Sequence, residues 1–414
     1  MSSSKPKSIT LRQYQVGFGD CFLLSFNYPR ESRHILIDFG SNKLPKSAGN
    51  GHMATVARQI QKDCGGKLHV VVATHRHKDH ISGFATNRAR KAPGDIIASC
   101  QPELVIQPWT EDPSLDQSAQ GPAASPSRHF RAALAEMQRF AKSVSKSAGM
   151  LAKSRSPRIR ELRFKGENGL TNKPAVKNLM SMGKTNLYVS CGDNVNLTSL
   201  LPGVKITVLG PPTLKQVETL SYAPTSSEYW LGVKKAWVAQ VGSFGSPGRV
   251  VAAKKIPPEA RWFVSAADRT HMEESLELVR TLDDFLNNTS VILLFEACGK
   301  KLLFPGDAQL ENWSYSLIKR KNTYAKLLRD TDLYKVGHHG SRNATPKSLW
   351  ELFSKRSKEQ AKTRLQTVLS TMKGVYDKDH EVPRKALVER LTAESTLHDS
   401  QTIKGIETKD PVLL

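Results

Sequence analysis

The chain has 414 residues, with 39% hydrophobic and 24% charged residues and a mean hydropathy of -0.41. No apolar run approaches the roughly 20 residues that a spanning helix needs, and the apolar content is too high for a fully disordered chain. Lys and Arg number 61 against 38 Asp and Glu, giving a formal charge of +23 and a pI near 9.8. Such a surface favours polyanions: nucleic acid, phosphorylated substrates or acidic headgroups.

The length allows two or three domains or one large α/β domain; we expect a single domain over 1–414. The polar start lacks the apolar stretch of a secretory signal. Five cysteines (Cys21, Cys64, Cys100, Cys191 and Cys298) are odd in number and scattered, with no CxxC pair. A disulfide scaffold is not expected, and a reducing cytoplasm fits this usage.

Taken in order, Ile9–Val16 and Cys21–Phe26 read as strands around a Gly-Phe-Gly turn, and His34–Asp38 as a short apolar strand. Met53–Lys62 has a helical pattern. Leu68–Ala73 is a continuous β-branched run, as in a buried strand, and it breaks at the polar cluster Thr74–His80. Strand-to-loop breaks of this kind are where α/β sheets place chemistry.

Residues 108–185 differ in character. Gln117–Ser127 reads as a loop and Ser127–Lys146 as a helix. Arg128–Lys165 carries eleven Lys and Arg against Glu136 and Glu161. We expect a basic, partly helical insertion here, either a phosphate-contact surface or a solvated arm. Strand signals resume at Val204–Leu209, Ser290–Phe295, Lys301–Phe304, Asp332–Val336 and Thr367–Ser370. Helical patterns cover Glu273–Phe285, Gln309–Leu328, Lys347–Phe353 and Arg384–Leu391. Strands that pair early and alternate with helices later predict an α/β sandwich of sheets covered by helices.

The sharpest feature is His75, His77, Asp79 and His80, four potential metal ligands within six residues directly after a buried strand. Imidazole and carboxylate without cysteine suit Zn, Mn, Fe or Ni and argue against a structural zinc finger. His75 and His77 alternate and can point the same way, while Asp79 and His80 lie past the turn and can reach a second ion. Two ions on one loop recur in the hydrolysis of phosphate esters, amides and lactones. Two further strand ends carry supporting groups: Gly306-Asp307 and Gly337-His338-His339-Gly340-Ser341.

The HxHxDH pattern at His75–His80 resembles the signature of the metallo-β-lactamase superfamily. More narrowly, the chain resembles the hydrolase domain of the competence-type DNA-uptake channel and its free-standing soluble relatives. The resemblance rests also on Val16–Cys21, Leu36–Gly40, Val208–Pro212, Asn287–Leu293, Pro305–Ala308, Lys335–Ser341 and Asp379–Pro383, in that order. It implies an αββα metallo-β-lactamase-like sandwich with two ions, zinc or alternatively manganese. In that pattern His75 and His77 hold one ion, Asp79 and His80 the second, Asp307 bridges, and His338 completes the second site. His339 would then stand behind the ligands or donate a proton. Many members carry a further histidine about twenty residues before the bridging aspartate; Asn287 and Asn288 stand there, and His271 is a distant substitute.

The implied chemistry is attack by a metal-activated water, oriented by Asp79, with His339 or His380 protonating the leaving group. His380 could equally hydrogen-bond across the fold. Asp20 and Asp38 are expected to orient ligands or turns, Cys21 and Cys298 to be core thiols, and Trp109 to be core or to stack a base. The leading expectation is a phosphodiesterase or nuclease acting on nucleic acid or another phosphorylated polyanion. The alternatives are a hydrolase of a small ester, lactone or phosphocholine-like group, and a nucleic-acid-binding protein with a structural metal site.

Overall fold

The computed structural model describes residues 5–114, 172–213, 216, 286–341, 343–361, 363–375, 382–407 and 412–414. The chain divides into two compact units, one of residues 1–132, 171–220 and 286–414 and one of residues 133–170 and 221–285. Every described residue belongs to the first. The basic block, the expected helices at 127–146 and 273–285, His271 and His380 lie outside the described residues. Of the expected insertion, residues 172–185 are described, and there Lys173–Leu179 is a helix with Ala175 and Leu179 buried.

The first sheet is seven-stranded among the described residues, in the order β14-β1-β2-β3-β4-β5-β6. Its strands are β1 (Ser8–Gln13), β2 (Cys21–Asn27), β3 (Ser32–Phe39), β4 (Val70–Val72), β5 (Leu104–Pro108), β6 (Thr185–Val189) and β14 (Val412–Leu413). Strands β1 to β3 form an antiparallel meander, and β3 to β6 are parallel. The second sheet is built the same way, in the order β13-β12-β11-β10-β9-β8-β7. Here β7 (Asn194–Val195), β8 (Lys205–Gly210), β9 (Ile292–Ala297) and β10 (Lys300–Phe304) are antiparallel, and β10, β11 (Leu333–Lys335), β12 (Gln366–Leu369) and β13 (Thr396–Asp399) are parallel.

The alternation of apolar residues explains the layering. Phe22, Phe26, Ile35, Ile37, Val70, Val72 and Ile106 of the first sheet share one buried cluster with Phe295, Leu302, Phe304, Leu333 and Val368 of the second. Phe22 meets Phe304 edge-on at 6.0 Å between ring centroids. Leu23, Leu36, Val71 and Val105 point the other way and pack with Val56, Ala57 and Ile60 of α1 (His52–Asp63), Ile97 of α2 (Pro93–Ser99) and Leu179. On the second sheet, Leu294, Leu303, Tyr334 and Leu369 pack outward on Trp313, Leu328, Trp350 and Leu391. The order of layers is therefore helix, sheet, sheet, helix. Where one helix was expected over 309–328, the chain forms Leu310–Ser314, a π-turn at Tyr315–Lys319 and then Lys321–Arg329.

Several single-residue expectations resolve here. Cys21 is a core residue, but Cys298 is exposed, because it turns the chain between β9 and β10 with φ 54°. Trp109 is buried, with Nε1 donating to the Pro212 carbonyl at 3.2 Å, and so belongs to the core. No helix among the described residues is long and apolar enough to cross a membrane.

One pair in this frame titrates. His34 on β3 and His69 just before β4 are both buried. The His34 backbone N–H donates to His69 Nδ1 at 3.1 Å, and Ser25 Oγ lies 2.8 Å from His34 Nδ1. Burial, helped by their mutual repulsion, pushes His34 down to about 4; burial pushes His69 to about 4 as well. An unfolded imidazole titrates near 6.5. Below that pH the unfolded chain takes up protons that the fold refuses, so stability is full above about pH 6.5 and falls as pH drops toward 4. The unfolding free energy is expected to be about 2 kcal/mol lower at pH 5 than at pH 7.5 on account of His34 alone. Denaturant titrations at the two pH values check this. A His34→Gln variant should lose that share of the difference, and an unchanged difference would exclude His34 as its source.

Candidate metal centre

The site lies where three strands end. His75–His80 follows β4, with Lys78–Ile81 forming a single helical turn; Gly306-Asp307 follows β10; and Gly337–Ser341 follows β11. A strand ends in a fixed place, so side chains just beyond it inherit that rigidity.

Two glycines set how closely the supporting loops approach. A Cβ on Gly19 would lie 2.2 Å from the Gly40 carbonyl oxygen and 2.8 Å from that of Asp79. One on Gly40 would lie 2.4 Å from the Asp79 carbonyl carbon and 2.5 Å from the His80 nitrogen. The loops carrying Asp20 and Asp38 thus press directly on the backbone of Asp79 and His80, and the Asp20 N–H donates to the Asp79 carbonyl at 2.9 Å. Gly40→Ala is expected to cost about 1–3 kcal/mol, because backbone rather than a pliable side chain must move. It should lower the metal content of the purified protein along with its melting temperature, and a variant matching the wild type in both would show that the loop yields freely.

Asp38 holds the first loop in shape. Its Oδ1 accepts from the Thr74 N–H at 2.8 Å and its Oδ2 from Thr74 Oγ1 at 2.7 Å, while His80 Nδ1 lies 2.8 Å from the same Oδ2. That contact puts a proton on His80 Nδ1 and turns Nε2 toward Asp307 Oδ2, 3.1 Å away. Asp38 therefore orients His80. Asp20 acts less directly, through Lys335.

His339 closes the group. Its Nε2 lies 3.0 Å from Asp79 Oδ2 and 3.7 Å from Asp307 Oδ2, and its Nδ1 lies 2.9 Å from the Ser370 carbonyl. The Phe18 ring packs on it at 4.2 Å between centroids. One ligand-type atom from each of Asp79, His80, Asp307 and His339 lies within 4.8 Å of the other three, and all four residues are buried. His75 and His77 stand beside this cluster. His75 Nε2 is 3.0 Å from His77 Nδ1, and the rings of His75 and His80 are 4.1 Å apart.

The sequence favours His338 among the ligands with His339 behind them; in the structure it is the His339 ring that converges with Asp79, His80 and Asp307. His338 is only half-buried, with Nδ1 3.0 Å from Ser341 Oγ, and its backbone N–H donates to Asp307 Oδ1 at 2.9 Å. The reason is backbone conformation: His338, His339 and Gly340 have φ of 44°, 53° and 82°. Three consecutive left-handed residues reverse the chain at once and swing the second histidine, not the first, back over Asp79. Left-handed non-glycine residues are costly and tend to persist where function holds them.

The main residue that sequence reasoning missed is Lys335, which is 2% exposed. Its Nζ pairs with Asp20, donates to the Gly306 carbonyl at 2.9 Å and lies 3.3 Å from Asp307 Oδ1. Its only signal was a lysine in an apolar strand, LYKV. Arg76, inside the histidine cluster, is buried and paired with Glu111, its Nε donating at 2.6 Å.

The charges are strongly coupled. Burial opposes ionisation of Asp79, yet the His339 hydrogen bond and the nearby His80 and His77 hold it down to about 2. Asp307 lies well below the ordinary carboxylate range despite its burial, through His80, Lys335 and His339. His75 is pushed well below the ordinary imidazole value by burial and by repulsion from His80 and His77. The site thus presents ionised carboxylates beside an uncharged His75 imidazole, while Asp307 and its neighbouring carboxylates raise His80 and His339 against the pull of burial, so a divalent cation bound there would displace their protons. Asp79 Oδ1 is buried and has no hydrogen-bond partner among the described residues. A buried carboxylate oxygen left in this way is costly unless something positive is bound to it. The residues present therefore fit a metal.

No family model matches the chain, and no curated protein does. Among solved structures, a variant of the CmlA beta-hydroxylase is similar at 11% sequence identity with a TM-score of 0.36, over 99% of this chain and 54% of that one. The chain thus spans about half the length of that protein.

Proposed function

We propose that the chain is a metal-dependent hydrolase that cleaves phosphodiesters, with nucleic acid as its polyanionic substrate, on a metallo-β-lactamase-like fold. The observation that carries the reading is the buried convergence of Asp79, His80, Asp307 and His339 within 4.8 Å, with His75 and His77 at its side. His75 and His77 would hold one ion, Asp79, His80 and His339 the other, with Asp307 between them. The mixed nitrogen and oxygen donor set suits zinc or manganese.

Bound ions supply a water whose pKa is lowered toward neutrality and positive charge against the phosphoryl oxygens. The protein's own residues do the rest. Asp79 and His339 fix each other through their hydrogen bond, and Asp38 fixes His80. His338 is the one partly exposed imidazole among the site histidines described. It can reach a leaving-group oxygen that the buried rings cannot, and we assign it the proton transfer. The net charge of +23 supports a polyanionic substrate.

The test is metal content per chain together with a panel of plasmid DNA, RNA, bis(4-nitrophenyl) phosphate and a lactone, with added Zn or Mn. Metal-dependent cleavage of a polynucleotide is the expected result. Turnover of the small esters with intact DNA and RNA would move the reading to a small-ester hydrolase. Salt-sensitive DNA binding without products would leave a binding protein.

A further inference from the structure

Unpaired positive charge gathers at the end of the first sheet that carries the His75 loop. Strand β4 ends at that loop. The chain then runs back along the sheet through α2, and the carbonyl of Cys100, just after α2, accepts the Leu68 N–H before β4 begins. Residues 85–92, at the other end of α2, therefore lie at the metal-centre end of the sheet. The helix Lys173–Leu179 is fastened beside them. Asn178 Nδ2 donates to the Phe84 carbonyl at 2.9 Å and to the Gly94 carbonyl at 3.1 Å, on the two flanks of the loop.

The loop is pinned by its own hydrogen bonds. Asp95 Oδ2 accepts the Asn87 N–H at 3.2 Å and the Ala92 N–H at 3.0 Å, and Asn87 Oδ1 accepts the Lys91 N–H at 3.1 Å. The Arg90 N–H donates to the Asn87 carbonyl at 3.1 Å, and Arg90 is held at φ 54°, a conformation that a non-glycine residue keeps only under constraint. What this frame presents is charge. Arg88, Arg90 and Lys91 are exposed, and so are Lys173 and Lys177 on the neighbouring helix. None of the five makes an ion pair among the described residues. Asp95 is the one acidic residue within 82–99 and 172–184, and it turns an oxygen into the backbone of the loop. The large apolar side chains exposed among the described residues, Leu44, Leu310, Ile318 and Leu413, lie in other segments. Charge without an apolar anchor suits a phosphate chain in water rather than a bilayer surface.

We propose that Arg88, Arg90, Lys91, Lys173 and Lys177 form a contact surface for the phosphate backbone of a polynucleotide and hold the polymer beside the metal centre. This rests on the reading of the protein as a phosphodiesterase of nucleic acid, and it gives that polymer a place to bind. Each guanidinium or ammonium group neutralises a phosphate and releases the counterion condensed on it, so the surface grips backbone without reading bases.

The experiment measures the binding of a fluorescein-labelled duplex by anisotropy across a sodium chloride series. It uses the full-length protein as purified and phosphorothioate linkages, which keep the backbone charge and resist cleavage. Each lost phosphate contact is expected to lower the slope of log affinity against log salt by about 1. Arg88→Ala, Arg90→Ala and Lys91→Ala together should lose about 2–3 from that slope and bind roughly tenfold or more weakly at physiological salt. Lys173→Ala with Lys177→Ala should lose about 1–2. A control of equal charge change on the exposed face of the helix Lys321–Arg329, with Lys321→Ala, Lys326→Ala and Arg329→Ala, should leave the slope as it is. No binding by the wild type, or unchanged slopes in the first two variants, would overturn the proposal. So would an equal loss in the control, which would reduce the effect to net charge, or binding of phosphatidylserine vesicles through the same residues. Turnover of bis(4-nitrophenyl) phosphate by the wild type with added Zn or Mn is measured alongside. Its absence with the slope changes present removes the hydrolase and keeps the surface; its presence with unchanged slopes removes the surface and keeps the hydrolase.

Discussion

Replacing Asp307 with alanine is expected to lower metal-dependent turnover by on the order of 10³-fold or more and to strip most of the metal from the purified protein. Among the described residues, no other carboxylate lies within 4 Å of Nε2 of both His80 and His339. Oδ2 faces His80 Nε2 at 3.1 Å and His339 Nε2 at 3.7 Å, while Oδ1 takes the His338 N–H at 2.9 Å and faces Lys335 Nζ at 3.3 Å. One oxygen is thus committed to the protein and the other to the convergent ligands. Asp307→Asn keeps the shape and removes the charge, so it should retain the fold better than alanine while losing metal equally. Metal analysis by mass spectrometry beside initial rates decides the matter. An Asp307→Asn protein with wild-type metal content and turnover would remove Asp307 from the site altogether.

The second large effect is expected at Lys335, and it is one of stability. Lys335 is buried with Asp20 and Asp307 on either side, and those carboxylates hold its ammonium well above the ordinary lysine value against the pull of burial. Removing one partner of a buried ionic group strands the other, at a cost of about 3–5 kcal/mol. Lys335→Met, which keeps the stem and deletes the charge, should lower the unfolding free energy by about that amount in the metal-free protein. Adding Asp20→Asn should recover part of the loss, because it removes one of the stranded carboxylates. Denaturant unfolding of the two single variants and the double variant forms a thermodynamic cycle. Additive losses would mean that the pair contributes no coupling.

Much of this centre was legible in the sequence. The buried run Val70–Val72 and the polar break after it announced a strand ending in metal-ligand residue types, and Asp307 followed a second strand in the same manner. Local pattern sufficed there because the donors lie next to the strands that carry them. It failed where the answer depended on backbone torsion or on a distant partner. Two adjacent histidines look alike in sequence, and only the left-handed turn at His338 and His339 chooses between them. Lys335 reads as an outlier in an apolar strand until Asp20, far earlier in the chain, folds against it. Strands β5, β6, β7, β13 and β14 were missed for a related reason: Leu104–Pro108 ends in proline, and Asn194–Val195 and Val412–Leu413 have only two residues each, so their strand character comes from neighbours in the sheet.

The centre draws its parts from both sheets, and this bears on how the protein comes into being. Asp79 and His339 touch across 260 residues of chain, and the loop-closure entropy of such a contact must be met before any local reward is collected. During synthesis, β1 to β6 emerge with His75, His77 and His80 while Asp307, His339 and the edge strand β14 are still to be translated. A ribosome-bound fragment ending before β10 carries His75, His77, Asp79 and His80 without Asp307 and His339. If the proposed function holds, activity would appear only once the second sheet has packed on the first, and turnover would report that assembly is complete.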